Sequence, residues 1–317
     1  MNAVSKEQAL LQLGRWLRTS RYRFTTGTPA THARVNARPE ARQARSVRDV
    51  FGWSRPFDAA LLPEAMLGWL RQGDLLEQGG VLLRSRVRFS SLGAQLYAHS
   101  SFPTGDADAV FFGPDTYRFA NLIESELQRQ ALATGARIVD VGCGAGPGGM
   151  VAALASTAAD PQLVLADISE KALLHARANA ALAQLDRVDF ALSDLYAGVA
   201  GQFDLIVSNP PYLVDASART YRDGGGPLGG GLSERIVAEG LPRLAPGGRL
   251  VLYTGAAIVD GADPLFAALQ PLLQRRGWRF SYRELDPDVF GEELDLPAYQ
   301  RADRIAAVAL VVERPAQ

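Results

Sequence analysis

The sequence predicts an α/β protein, a mostly parallel seven-stranded sheet with a closing antiparallel strand, preceded by a smaller α+β unit. Two observations carry the sheet. From about residue 134 onward, short apolar runs of strand length alternate with helical patterns, and such alternation builds a parallel sheet with helices on both faces. The last two runs are joined without an obvious helix, which predicts an antiparallel hairpin at the sheet's end. A third observation, a helix–hairpin pattern with a different charge balance over residues 1–105, sets that part off from residues 106–317.

The elements follow in order. Leu10, Leu13, Trp16 and Leu17 repeat at helical spacing, with Arg15 and Arg18 off that stripe. Residues 24–31 break the helix. A second helical pattern, with Leu61, Leu62, Met66, Leu67, Leu70, Leu75 and Leu76, predicts a helix over about 59–78, ended by Gly79-Gly80. Val81–Phe89 and Ala94–His99 then read as a small hairpin, which makes the first unit winged-helix-like. The strand runs of the second unit are Arg137–Val141, Leu163–Ala166, Val188–Leu192, Leu205–Ser208, Arg249–Thr254, Trp278–Arg283 and Ile305–Glu313, with helical patterns at about 147–158 and 169–184.

Composition bounds the function. The chain has 317 residues, 47% of them hydrophobic, enough for a sizeable core and for two domains at roughly 100–200 residues each. The apolar stretch near the C-terminus, Ile305 to Val312, is far shorter than a membrane span. No apolar core with a small-residue cleavage site follows the N-terminus, so the expected location is the cytoplasm, away from membranes. One cysteine excludes an intramolecular disulfide framework, and three scattered histidines offer no metal centre. Charge is uneven. Residues 1–105 hold 15 Lys and Arg against 7 Asp and Glu, and nine arginines fall between Arg15 and Arg48. Such a surface suits nucleic acid or an acidic protein. It is equally a solvated face, since no aromatic side chains interleave with it.

The strongest motif is Asp140-Val141-Gly142-Cys143-Gly144-Ala145-Gly146-Pro147, where a buried strand ends in a glycine-rich turn that opens a helix. Gly142, Gly144 and Gly146 let the backbone turn sharply and approach a ligand. Pro147 suits a first helical position. The match to G-x-G-x-x-G alone does not decide the ligand, but Asp140 does. A pyrophosphate would meet its like charge at close range, whereas a sulfonium cofactor with an α-amino group would be attracted. Asp167 ends the next strand, 21 residues beyond Gly146, where a carboxylate accepts from both ribose hydroxyls. Asp194 ends the third, where a carboxylate can accept from an adenine amine. In this set and order the chain resembles the class I S-adenosylmethionine-dependent methyltransferases over about residues 110–317. That resemblance implies a Rossmann-like fold, S-adenosylmethionine as cofactor, and Ile168, Leu195 and Thr116 beside it. Cys143 is then a small turn residue, with no histidine beyond His175 to activate it.

The fourth strand run ends in Asn209-Pro210-Pro211-Tyr212. Two prolines stiffen the backbone and turn it outward. An amide or aryl amine nitrogen is a poor nucleophile because its lone pair is delocalised. The Asn209 side-chain oxygen and the Pro210 carbonyl can each accept one N–H from such a nitrogen, and the Tyr212 ring offers a face for a flat acceptor. Neutral acceptors also favour the positive charge that develops there. This motif resembles that of two groups, the glutamine methyltransferases of release factors and ribosomal proteins and the adenine-N6 methyltransferases of DNA and RNA. Gly113-Pro114-Asp115-Thr116-Tyr117 resembles the Pro-x-Asp/Glu-Thr element of the release-factor enzymes, but lacks their leading arginine and following glutamate. The resemblance implies a protein glutamine as acceptor, with adenine in nucleic acid as the alternative and a small molecule third. A scaffold that binds cofactor without turnover is the non-enzymatic rival, and it has no need for both acceptors of the motif. The glycine-rich stretch Leu213 to Leu232 is expected to be a mobile lid, and Asp286 to Tyr299 a wall of the acceptor pocket.

Overall fold

The computed structural model describes residues 5–217 and 219–316. The chain divides into two units. One holds the residues up to Tyr117 together with Gly144–Gly146 and Lys171–Asp186, and the other holds the rest.

The first unit is α+β. Ser5 accepts from the Gln8 amide and Gln8 returns the bond, a capping box that starts α1 (Lys6–Thr19). α2 (Pro29–Asn36), α3 (Val47–Phe51) and α4 (Glu64–Gln72) follow. The helix expected over 59–78 is cut short. Pro63 stands at the start of α4, Gly73 ends it, and Leu75 turns back to donate to the Leu70 carbonyl. Leu76 then begins β1 (Leu76–Gly79), paired with β2 (Leu82–Ser85) across Gly80, which has φ +69°. The helical spacing of Leu75 and Leu76 with the residues before them is coincidental, because Gly73 breaks the period. β3 (Val87–Leu92) and β4 (Gln95–Ser100) form the second hairpin, so the expected single hairpin is two. Leu10, Leu13, Leu17, Phe51, Phe57, Met66 and Phe89 fill the core.

Pro114 opens α5 (Pro114–Arg129), which lies outside the runs assigned from periodicity. Then come β5 (Arg137–Val141), α6 (Pro147–Ala155), β6 (Gln162–Asp167), α7 (Glu170–Ala183), β7 (Val188–Leu192), β8 (Phe203–Ser208), α8 (Gly231–Gly240), β9 (Leu244–Val259), α9 (Pro264–Arg276), β10 (Arg279–Asp286) and β11 (Ala302–Glu313). The sheet order is β10-β11-β9-β8-β5-β6-β7. β5, β6, β7, β8 and β9 pair in parallel, and β11 runs against both β9 and β10. This is the expected mostly parallel, seven-stranded sheet with one antiparallel strand at its closing end. Between β10 and β11 there are only single helical turns, at Gly291–Asp295 and Pro297–Tyr299. Buried Val139, Ile206, Leu250, Leu252, Val308 and Leu310 are part of the core of this unit. The near-continuous apolar strands reflect burial on both faces.

Candidate active site

After β5 the chain turns to β6 and β7 on one side, then returns to β8 and β9 on the other. The sheet therefore reverses its order between β5 and β8. A crevice opens outside the carboxyl ends of strands at such a switch point, and ligands bind there. The register shows which residues reach it. Val141 pairs with Ala166 on β6 and with Ser208 on β8. Gly142, Asp167 and Asn209 therefore leave their strands at one level. Asp167 and Asn209 stand two strands apart, roughly 10 Å.

Gly142, Gly144 and Gly146 have φ +67°, +55° and +86°, a region that any side chain would strain. At Gly142 and Gly144 a methyl group would meet nothing within 4 Å. The turn is left open by its glycines, and the Gly142 and Cys143 amides both donate to the Ala166 carbonyl. Cys143 is buried, and burial pushes its thiol well above the usual range. It is a turn residue.

Asp140 sits differently from the expectation that it faces a ligand. It is 2% exposed, and Oδ2 accepts from the Gly149 amide at 2.7 Å, tying strand to helix. Burial pushes its carboxyl up to about 7, and the negative charge of Asp167 adds to the rise. The folded-state value lies above the unfolded one of 3.8. The folded protein thus binds the extra proton, and that stabilisation is full below about pH 4 and lost as pH rises through about 7. Asp140→Asn keeps an oxygen for Gly149 and removes this titration. Urea unfolding is expected to show a flatter stability profile for the variant between about pH 4 and pH 7. Parallel profiles would mean that Asp140 is charged throughout.

Asp167 Oδ1 accepts from the Ser169 amide at 2.8 Å, and the Ile168 side chain beyond it is 62% exposed. Such exposure of a large aliphatic group at a sheet edge marks a surface for an apolar ligand face. Asp194 is exposed, with Oδ1 3.5 Å from Arg235 Nη2, and the buried Leu195 has φ +48°. Thr116 belongs to the other unit, where its hydroxyl accepts from the Gly113 amide at 3.2 Å and caps α5.

Asn209 is half-buried at the end of β8 and Pro210 is buried. Tyr212 departs from expectation. It is 6% exposed, its ring lies against the backbone of Gly255 on β9, and Phe290 packs on it edge to face at 5.8 Å. The ring is a packed wall, and no open stacking face is left on it. Phe290 itself is held at φ +54°, a strained backbone for a bulky residue.

The stretch after Tyr212, expected as a mobile lid, is held at several points, with Ala218 outside the described residues. Gly224 donates to the Leu213 carbonyl and Leu213 to the Arg222 carbonyl across a turn, Leu232 donates to the Gly224 carbonyl, and the Arg219 guanidinium holds Asp215 through two bonds at 2.6 and 2.8 Å. The Arg222 guanidinium pairs with Glu293, and the Tyr299 hydroxyl accepts from Val214. A side chain at Gly224 or Gly229 would strike the backbone of residues 211–213, at 2.6 and 2.2 Å. These glycines permit close packing around the Asn-Pro-Pro-Tyr segment.

Composition and spacing do not single out Asn179. It is buried in α7, donates to the carbonyls of Ala98 and Ala145, and accepts from the Ala98 amide. It thereby fixes the glycine turn at Ala145. The signal for it is a lone amide in an alanine-rich helix.

A family model described as a methyltransferase small domain matches residues 118–258. The release factor glutamine methyltransferase of Deinococcus radiodurans is 34% identical over 263 residues, which cover 74% of this chain and 88% of that protein. The chain belongs to the release factor glutamine methyltransferase family. Another relative, the ribosomal RNA small subunit methyltransferase C of Salmonella arizonae, is 40% identical over 112 residues, 33% of this chain and 32% of that protein. The crystal structure of the M. jannaschii tRNA m1G37 methyltransferase aligns with TM-score 0.49 and 14% identity, over 73% of this chain and 58% of that one. As a member of the family the protein is an S-adenosylmethionine-dependent methyltransferase. The open glycine turn, the carboxylate of Asp167 and the exposed Ile168 fit a cofactor that carries a ribose and an apolar ring face.

Proposed function

We propose that this methyltransferase transfers a methyl group to the side-chain amide nitrogen of a glutamine in a release-factor-like or ribosomal protein. The observation that carries this reading is Asn209-Pro210-Pro211-Tyr212 at the end of β8, beside the switch point. The Deinococcus relative, matched over most of its length, supports it.

The roles follow from chemistry. S-adenosylmethionine supplies an electrophilic methyl carbon on a sulfonium. Gly142, Gly144 and Gly146 let the backbone approach it, Asp167 accepts from the ribose, and Ile168, Asp194 and Leu195 border the adenine. Asn209 Oδ1 and the Pro210 carbonyl each accept one N–H of the acceptor amide, which fixes the nitrogen and draws electron density onto it. Pro211 stiffens the turn, and Tyr212 walls the slot. The arrangement contributes through positioning and preorganised dipoles. Residues 1–105 serve acceptor recognition, and residues 106–317 the transfer, in the cytoplasm. No described helix is long and apolar enough to cross a membrane.

Asp167→Ala is expected to weaken S-adenosylmethionine binding by about tenfold or more, the size of a lost charge-assisted hydrogen bond. Unchanged affinity by calorimetry would remove Asp167 from the site.

One observation favours a second reading, an adenine-N6 acceptor in RNA or DNA. Arg34, Arg38, Arg42 and Arg45 are all exposed, and their side chains make no ion pair among the described residues. One assay separates the two. Purified protein and tritiated S-adenosylmethionine are added to lysate from cells lacking the gene, and the product is split between protease and nuclease. Label released only by protease, on a glutamine by mass spectrometry, is the expected result. Label released only by nuclease, with transfer that falls steeply with salt, would overturn the glutamine acceptor.

A further inference from the structure

Residues 287–301 link β10 to β11 at the sheet edge that carries Asn209. β8 and β9 run parallel, and β11 begins opposite the end of β9, with Ala302 paired to Val259. The link is fixed at both ends. The Arg118 guanidinium reaches Asp286 at 2.7 Å, and the Tyr299 hydroxyl accepts from the Val214 amide at 2.9 Å. Its middle is fixed by charge, since the buried Glu293 pairs with the Arg222 guanidinium.

This pair closes a ring of contacts on Tyr212. The Arg222 carbonyl accepts from the amide of Leu213, the residue after Tyr212, at 3.2 Å. The Arg222 side chain crosses to Glu293. The Glu293 amide donates to the Phe290 carbonyl at 2.9 Å, and the Phe290 ring packs on Tyr212. Phe290 is held at φ +54° at the start of that helical turn. A bulky residue keeps such a backbone only where its surroundings over-determine it. Here the Glu293 amide, the Val289 amide on the Ile305 carbonyl at 2.8 Å and the ion pair do so. Asp215 lies 3.8 Å from Arg222 Nε and is bonded to Arg219. Arg219 and Arg222 thus face Asp215 and Glu293, and the charges of the cluster balance.

Apolar packing alone would also hold these two segments together. A charge-assisted bond adds direction, because the planar guanidinium accepts a carboxylate in few orientations. We propose that Arg222 and Glu293 are positioning residues for methyl transfer. Their ion pair fixes Phe290 against Tyr212 and thereby holds the Asn209-Pro210-Pro211 backbone at the end of β8. The inference rests on the role given above to Asn209, and not on which macromolecule carries the acceptor nitrogen.

The test measures single-turnover transfer from tritiated S-adenosylmethionine, with the full chain and whichever acceptor the wild type labels. The first-order rate constant does not depend on how much of a variant is folded, so it separates positioning from stability. Arg222→Met removes the guanidinium, and Glu293→Gln removes the charge. Each is expected to slow transfer about 10- to 100-fold at saturating cofactor and acceptor, the scale of a displacement of about 1 Å at a reacting centre. Cofactor affinity by calorimetry should stay that of the wild type. Arg222→Lys keeps a charge for Glu293 and is expected to recover part of the rate lost in Arg222→Met. Should a single variant not fold, the double variant Arg222→Met, Glu293→Met leaves neither member of the pair buried and unpartnered. It is expected to fold and to transfer as slowly as the singles. A wild-type rate constant in Arg222→Met, Glu293→Gln or the double variant would overturn the proposal and make the pair structural only. No recovery in Arg222→Lys would overturn it as well. Asn209→Ala runs alongside. If it transfers at the wild-type rate, the reading of Asn209 has failed; if it alone is slow, only the positioning pair has.

Discussion

Asn209→Ala is expected to slow methyl transfer by about 10²–10³-fold, the scale seen when one preorganised polar partner of a reacting centre is removed. Cofactor affinity should stay near that of the wild type, because the adenosine contacts proposed for Asp167 and Ile168 are untouched. The reason is geometric. Asn209 leaves β8 level with Gly142 and Asp167, and the two prolines after it hold its backbone. Its amide oxygen is a neutral acceptor for one N–H of the acceptor nitrogen. Single-turnover rates with the cofactor saturating, alongside calorimetry, give both numbers. Turnover that survives the substitution would remove Asn209 from the chemistry. A parallel loss of cofactor binding would reassign it to cofactor binding.

The second large effect is expected at a residue that does no chemistry. A methyl group at Gly255 would lie 2.2 Å from Tyr212 Cδ2 and 2.3 Å from Cε2. The ring cannot yield easily, since Phe290 packs on it and the residue is already buried. Gly255→Ala should therefore displace Tyr212 and cost about 1–3 kcal/mol of stability through overpacking. Activity should fall more than the unfolded fraction explains, because Tyr212 continues directly from Asn209-Pro210-Pro211. Denaturant unfolding and kcat measure the two effects. Repeating the substitution in a Tyr212→Ala background should abolish the stability cost. A cost that remains would place the clash elsewhere in β9.

Much of the sheet was readable from residues alone. Val188–Leu192 is a strand at the assigned bounds, and the runs at 137–141, 163–166 and 205–208 each lie within an observed strand. The strands at 137–141, 163–166 and 205–208 are buried on both faces and so mostly apolar, while the outermost, Val188–Leu192, is only partly buried and is legible from its β-branched and aromatic residues. The closing hairpin was readable for a similar reason, since no helical period separates its strands. The glycine turn, the acid at the end of β6 and the Asn-Pro-Pro-Tyr segment were readable because each is local. Their meaning depends on a few neighbours in the chain and on following a strand.

What stayed hidden depends on neighbours distant in sequence. Gly224 and Gly229 look like flexibility in a string of letters. In the fold they are the only residue type that fits against the backbone of residues 211–213. Tyr212 looks like a free ring until Gly255 and Phe290 close on it. Asp140 looks like a ligand group until the Gly149 amide takes its oxygen. Period and motif report what each residue prefers within its own segment. Steric room and the pairing of buried charge are set by segments that meet only when the chain folds.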